Sequence, residues 1–182
     1  YPSGSEKLIY HNVYIVQHML IIKDAMVLIH LAKTSLLETS CQYFGSVIIP
    51  PKVEKEVDQP GHVDAIIIRK LIQEQKIKVK PVTNKNLVRK AEQLGIYHGE
   101  AEAVALYWES NADLLATDDD NVRKKKELLQ IDLIGTPAII LKLYKEKRLD
   151  KVKLREVIKK MKEVGWFSNT IWDKIMLEVE HE

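Results

Sequence analysis

Four groups of acids are the residues of this sequence best suited to chemistry. Asp24 closes the run Met19-Leu20-Ile21-Ile22-Lys23. Glu54 and Glu56 lie just past Val47-Ile48-Ile49-Pro50. Glu100 and Glu102 sit in Gly99-Glu100-Ala101-Glu102-Ala103, and Thr117-Asp118-Asp119-Asp120 follows Asp113-Leu114-Leu115-Ala116. Carboxylates gathered at one point raise one another's pKa unless a cation neutralises them. An all-oxygen donor set with no Cys or His cluster beside it selects Mg²⁺ or Mn²⁺ over zinc. Such an ion activates water and neutralises charge developing on a phosphate, and a pair of ions ~3.5–4 Å apart clamps both the attacking and the leaving oxygen. Metal-assisted phosphodiester hydrolysis is the reaction this donor set suits.

For the acids to meet, strands and helices must alternate. Met19 to Ile22 is an apolar run of strand length, as a sheet covered on both faces requires. Val27, Leu28, Leu31, Ala32 and Leu36 recur near helical spacing, so a helix is expected over 26–38. A strand over Val47–Ile49 ends at Pro50-Pro51, and Pro51 suits the first turn of a helix over 52–57. Asp58-Gln59-Pro60-Gly61 breaks that helix. A longer one follows over 62–75, with Ile66, Ile67 and Leu71 as its inner stripe. A half-exposed strand is expected at 77–80, and helices at 84–94 and 100–109. The remaining expectations are a strand at 114–116, a helix at 119–130 and a strand at 131–134. Thr136-Pro137 then opens a helix as N-cap and N1. Two helices over 150–180 join at Gly165-Trp166-Phe167-Ser168-Asn169. This alternation argues for an α/β domain with a mainly parallel sheet. Sites in such sheets lie beyond the carboxyl ends of the strands, where Asp24 and Asp118 both fall.

Composition narrows the class without naming a partner. The 182 residues are 46% hydrophobic and 30% charged, with a net charge of +2. That length suits one domain with a substantial core. From Arg123 to Lys162, 14 basic residues face 5 acidic ones, an excess compatible with a phosphate-rich substrate or with plain solvated helix faces. The single cysteine, Cys41, excludes an intramolecular disulfide, and with no signal-peptide pattern a cytoplasmic protein is expected. No apolar run reaches the ~18 residues of a spanning helix. Residues 1–18 read as an N-terminal extension or expression remnant plus a lead-in, and 19–180 as one domain.

Helix faces choose among the acids. Glu56 borders the stripe of Val53 and Val57, whereas Glu54 points further round. Glu100 shares a line with Val104 and Trp108. Glu102 falls with Leu106 and a solvent-facing Glu109, so it is kept as a supporting candidate. A carboxylate in a first helical turn is also favoured by the helix dipole alone. Asp118 follows its strand directly and is the better ligand, and Asp119 is next. Plain helix caps remain the alternative for Asp24, Asp119 and Asp120. His98 is a weaker candidate for touching substrate. Trp108, Trp166 and Trp172 read as packing residues rather than base-stacking platforms. Lys124, Lys125 and Lys126 cannot all point one way from one helix. No phosphate-binding glycine loop and no zinc spacing occurs.

With those residues in view, the chain resembles the PIN-domain family of metal-dependent nucleases, which includes the VapC toxins of toxin–antitoxin pairs. The matching stretches are Asp24-Ala25-Met26-Val27-Leu28-Ile29, Ile49-Pro50-Pro51-Lys52-Val53-Glu54-Lys55-Glu56-Val57, Gly99-Glu100-Ala101-Glu102-Ala103 and Leu115-Ala116-Thr117-Asp118-Asp119. An uncharacterised, largely prokaryotic branch is similar also at Ile134-Gly135-Thr136 and Gly165-Trp166-Phe167. The resemblance implies a three-layer α/β/α sandwich and Mg²⁺ or Mn²⁺ held by Asp24, Glu56, Glu100 and Asp118, with Asp119 auxiliary. It further implies endonuclease action on single-stranded RNA, a homodimer, and for toxin-like members an antitoxin partner. Two departures bear on turnover. Ala25 stands where the family often has a small hydroxyl residue, and Glu100 where the toxins often have Asp. The rivals are a nucleic-acid-binding module of the same fold without catalysis, and a phosphatase or phospho-receiver. A dehalogenase-type phosphatase would want a second Asp at Met26, and a receiver would want an acidic pair where Lys23-Asp24-Ala25 supplies one acid.

Overall fold

The computed structural model describes residues 19–182, so the N-terminal extension read over 1–18 lies outside the described residues. Five strands form one all-parallel sheet in the order β3-β2-β1-β4-β5. They are β1 Leu20–Lys23, β2 Ser46–Ile49, β3 Lys78–Val79, β4 Leu114–Ala116 and β5 Leu133–Ile134. Eleven helices complete the described residues. After β1 come α1 Ala25–Lys33 and α2 Leu37–Phe44, and after β2 come α3 Pro51–Val57 and α4 Val63–Gln73. After β3 come α5 Lys85–Gln93 and α6 His98–Ser110, and after β4 the short α7 Asp120–Lys124 and α8 Lys126–Leu129. The chain ends with α9 Thr136–Lys145, α10 Lys151–Val164 and α11 Asn169–Glu180.

Strand residues alternate between two cores. Ile21, Val47, Ile49 and Ala116 pack against α1–α4 and α9–α11, while Ile22, Ile48 and Leu115 pack against α5–α8. Because both faces are covered, the strands read as apolar runs rather than as an alternating pattern. The result is the expected three-layer α/β/α sandwich.

Several local expectations are corrected. The helix expected over 26–38 is two helices. Thr34 Oγ1 donates to the carbonyls of His30 and Leu31, and Ser35 takes φ 58°, which ends α1. The apolar spacing runs through the break because Leu36 and Leu37 bury into the same core. In α4 the buried stripe is Ala65, Ile68 and Leu71, while Ile66 is 59% exposed. Three successive isoleucines leave the phase of the stripe open. Gly135, not Thr136, is the N-cap of α9. The helix expected at 119–130 divides at Lys125, whose Nζ donates 2.9 Å to the carbonyl of Leu94. That amine is therefore engaged with the turn after α5.

One core residue is a lysine. Lys23 is fully buried, and its Nζ donates to Ser40 Oγ at 2.6 Å and lies 5.5 Å from the centre of the Phe44 ring. Burial pushes its pKa below the ordinary 10.5. The unfolded chain therefore binds more protons than the folded one below that value, and folding loses stability as pH falls. Lys23→Met is expected to raise the Tm at pH 7 by at least ~2–4 °C, the shift that ~1 kcal/mol produces in a chain of this size. The gain should shrink toward pH 10.5, and thermal melts across pH check both the sign and the trend.

Candidate functional site

Sheet register brings the acids together. Lys23 pairs with Ala116, and the ladder continues as Asp24 N donates 3.0 Å to the Ala116 carbonyl and Thr117 N donates 3.0 Å to that of Ile134. Asp24 and Thr117 thus leave neighbouring strands side by side. Ala116 pairs with Ile134, so Asp118 and Thr136 both stand two residues past paired positions. On the other flank β2 pairs with β1 and runs through Pro50 into α3, which carries Glu56. Helix α6, packed on α3, brings Glu100 in its first turn.

Asp24 is the centre of the group. It is 4% exposed; Oδ1 accepts from Val27 N at 3.3 Å and Oδ2 accepts the hydroxyl proton of Thr117. Asp24 is therefore an N-cap, the plain role anticipated for it, and also a buried acid. Burial pushes its pKa up to about 8, and the nearby charges of Asp118 and Glu100 add to the rise, against the hydrogen bonds from Thr117 and Val27. Thr117 Oγ1 in turn accepts from Asp119 N at 3.1 Å, so its hydroxyl ties Asp24 to the start of the next helix.

Glu56 is half-buried, and its Oε1 accepts from Gly99 N at 3.0 Å. Its pKa is raised by burial first and by Glu100 second, while the Gly99 bond, Lys52 and His98 pull it down. Gly99 has no room for a side chain: a Cβ there would stand 2.5 Å from Glu56 Oε1 and 2.8 Å from Cδ. Glu100, half-buried, is thus the electrostatic neighbour of both Asp24 and Glu56.

Asp118 belongs to the same group but is held from behind. Its side chain is 1% exposed, with Oδ2 2.9 Å from His30 Nδ1. Thr136 donates its N–H to Oδ1 at 2.7 Å and its hydroxyl to Oδ2. Each oxygen retains further acceptor capacity. Asp119 is turned away to cap α7, its Oδ1 accepting from Val122 N at 2.8 Å. Glu102 points toward α3, where its Oε2 accepts from Lys52 N at 3.3 Å. Glu109, taken as solvent-facing, ties down the Thr83-Asn84 turn through both backbone N–H groups and the Thr83 hydroxyl. Among the described residues no three His, Cys, Asp or Glu side chains converge closely enough to form a ready cation cage.

Three contributors escaped the sequence reading. His30 lies fully buried in the apolar run of α1, with Nε2 unpartnered, and the one available signal was a polar residue on an otherwise apolar face. Thr136 reads as a cap, yet it grips Asp118. Trp166 reads as a packing residue, yet it is 52% exposed, unlike the fully buried Trp172. The basic block is also divided. Among the described residues, Arg123 is the one basic residue lining the cleft beside Asp118 and Asp119. Lys145, Lys147, Arg148, Lys151 and Lys153 line a separate cleft with Ser35 and Leu36, at the far ends of α1 and α9 from the acids.

A cation fits the donor set in charge and chemistry. Asp24 is a carboxylate whose pKa is raised by burial first and then by Asp118 and Glu100, and an ion among Asp24, Glu56, Glu100 and Asp118 would relieve that repulsion. The ligands are oxygens throughout, as Mg²⁺ and Mn²⁺ prefer.

No helix among the described residues is long and apolar enough to cross a membrane. No curated protein and no solved structure matches the chain. The family model DUF3368, described as a PIN domain, matches residues 20–181, which spans every strand of the sheet and all four acids. The chain therefore belongs to the PIN-domain family, whose fold is of nuclease type and whose members typically use divalent metals.

Proposed function

We propose that this chain is a divalent-metal-dependent endoribonuclease that hydrolyses phosphodiesters of single-stranded RNA at the mouth formed by Asp24, Glu56, Glu100 and Asp118. The observation that carries the reading is Asp24, a 4%-exposed carboxylate at the carboxyl end of the central strand, with Asp118 and Glu100 as acidic neighbours. Burial and the neighbouring acids keep Asp24 protonated up to a pKa of about 8, and a bound cation would offset the cost of its ionised form. Bound Mg²⁺ or Mn²⁺ would supply activation of water and neutralisation of charge on the phosphate.

The chain's own residues would do the rest. Asp24 and Glu100 would hold the ion, with Glu56 kept beside them by Gly99 N. Thr117 fixes the rotamer of Asp24. His30 and Thr136 orient Asp118 so that its remaining lone pairs complete the set, as partners behind a ligand commonly do. Arg123 stands by the acids to receive a flanking phosphate.

The lack of a ready three-carboxylate cage and the grip of His30 and Thr136 on Asp118 favour a second reading, a module that binds nucleic acid without cutting it. Incubating the chain with single-stranded RNAs of varied sequence, with Mn²⁺, with Mg²⁺ or with a chelator, separates the two. The nuclease reading expects cleavage with an ion and none in the chelator. Salt-sensitive binding with no cleavage under either ion would establish the second reading instead.

A further inference from the structure

We infer that Trp166 is a base-stacking platform, and that the cleft it shares with Asp118 and Asp119 takes one unpaired nucleobase of a single-stranded nucleic acid. The inference rests on the nuclease or nucleic-acid-binding reading of the same mouth and adds the subsite beside the acids.

The cleft has a volume of about 530 Å³ and two unlike walls. One is Thr117 to Asp120 with Arg123, Gly135 and Pro137; the other is Trp166, Phe167, Ser168 and Ile171. Trp166 is held out into it by the turn between α10 and α11. Gly165 caps α10 at φ 72°, a left-handed conformation that side chains disfavour, and the chain then leaves the helix axis. Phe167, the next residue, lines the same wall and also reaches the core, meeting Trp172 edge-on at 5.5 Å and His30 at 5.3 Å. Phe167 thus anchors the turn in the core while Trp166 stays 52% exposed. The Trp166 ring also packs on His30, with 5.5 Å between centroids and a tilt of 57° between the planes.

An indole left this open is costly unless something covers it, because aromatic rings gain most from burial. The occupant must suit an aromatic wall facing acids. A bare phosphate is repelled by Asp118, Asp119 and Asp120. A flat, uncharged base is not, and every base presents a π-face, so stacking tolerates any sequence. Its phosphate can then lie at Arg123, whose ion pair with Asp120 is exposed at both ends and therefore easily exchanged. His30 behind the ring also bonds Asp118, so the platform and the acid share one support. A base on Trp166 places the adjoining phosphodiester toward the acids.

The test is binding of fluorescein-labelled single-stranded oligouridylate by the full chain, in a chelator so that nothing is cut. Trp166→Ala is expected to weaken binding about 5- to 100-fold, the range for loss of one base–aromatic stack. One abasic position in the oligonucleotide should cost the native chain a similar factor and cost Trp166→Ala nothing further. Titration should quench indole emission in the native chain but not in Trp166→Phe, which keeps a smaller stacking face and most of the affinity. That variant carries the test should Ala disturb the turn. Unchanged affinity in Trp166→Ala, or a quench that persists in Trp166→Phe, overturns the stacking role while leaving the nuclease reading intact. If the native chain binds no single-stranded nucleic acid, both fall together.

Discussion

Asp24→Asn is expected to abolish metal-dependent cleavage and, in the same protein, to raise the Tm at pH 8 measured in a chelator. The loss of activity should be at least ~10²–10³-fold in kcat/KM, the scale for removing one preorganised electrostatic partner of a transition state. The gain in stability follows from the pKa of about 8 against an ordinary 3.8. Between those values the folded chain holds a proton that the unfolded chain has released, so the native protein loses stability as pH rises through the window. Each unit corresponds to about 1.4 kcal/mol, so ionising Asp24 in the fold costs several kcal/mol by the top of the window. Asparagine keeps the shape and the cap and removes the charge. A rise of about 5–10 °C at pH 8 is expected, vanishing near pH 4. Mn²⁺ should stabilise the native chain and not the variant, since an ion that binds only the folded state shifts its Tm upward. Melts that coincide at pH 8 would remove the case for an uncompensated acid, whatever the activity shows.

The second large effect is expected at a glycine. Gly99→Ala sits in the first turn of α6, where alanine would ordinarily help the helix by up to ~1 kcal/mol. Here the new Cβ would overlap the Glu56 carboxylate, 2.5 Å from Oε1 and 2.6 Å from Oε2. Glu56 is the far end of a flexible side chain and is half-exposed, so it gives way rather than the backbone. The fold should therefore survive with an unchanged or slightly raised Tm, while Glu56 swings out of the acid group. Metal affinity, read by titrating Mn²⁺ against thermal stability, should fall ~10–100-fold, and cleavage should fall with it. Shortening the acid in a Gly99→Ala/Glu56→Asp double variant clears the overlap and should restore part of the loss. Full activity in Gly99→Ala alone would mean that Glu56 has no part in the site.

Much of this site could be read from the chain because parallel strands sort residues by position. Apolar runs ending at Lys23, Ile49 and Ala116 located three strand ends, and register sets Asp24 and Asp118 just beyond two of them. Helix-face reasoning separated Glu56 from Glu54 and Glu100 from Glu102 for the same reason: a helix buries one line of residues, and Val53, Val57 and Val104 mark it. What escaped the sequence depends on side chains meeting across distant segments. Asp118 and His30 are 88 positions apart, and nothing local to either residue announces the pair. Trp166 reads as core by type, and only the turn after Gly165 leaves it 52% exposed while Phe167 packs against His30 and Trp172. The basic block looked continuous because charge along a chain says nothing of which end of a helix it reaches.

The strand order has a consequence for synthesis. β1 is the middle strand of the sheet, and its two partners arrive at residues 46–49 and 114–116. A nascent chain can pair β1 with β2 early, but the other edge of β1 stays open until β4 emerges, with about ninety residues in between. Pairing across so long a stretch forms slowly, because the loop must close before the contact rewards it. Asp24 and Asp118 come from opposite sides of that gap. The acidic mouth cannot assemble on a half-made chain, so any cutting power is withheld from the ribosome-bound form until most of the polypeptide has left the tunnel.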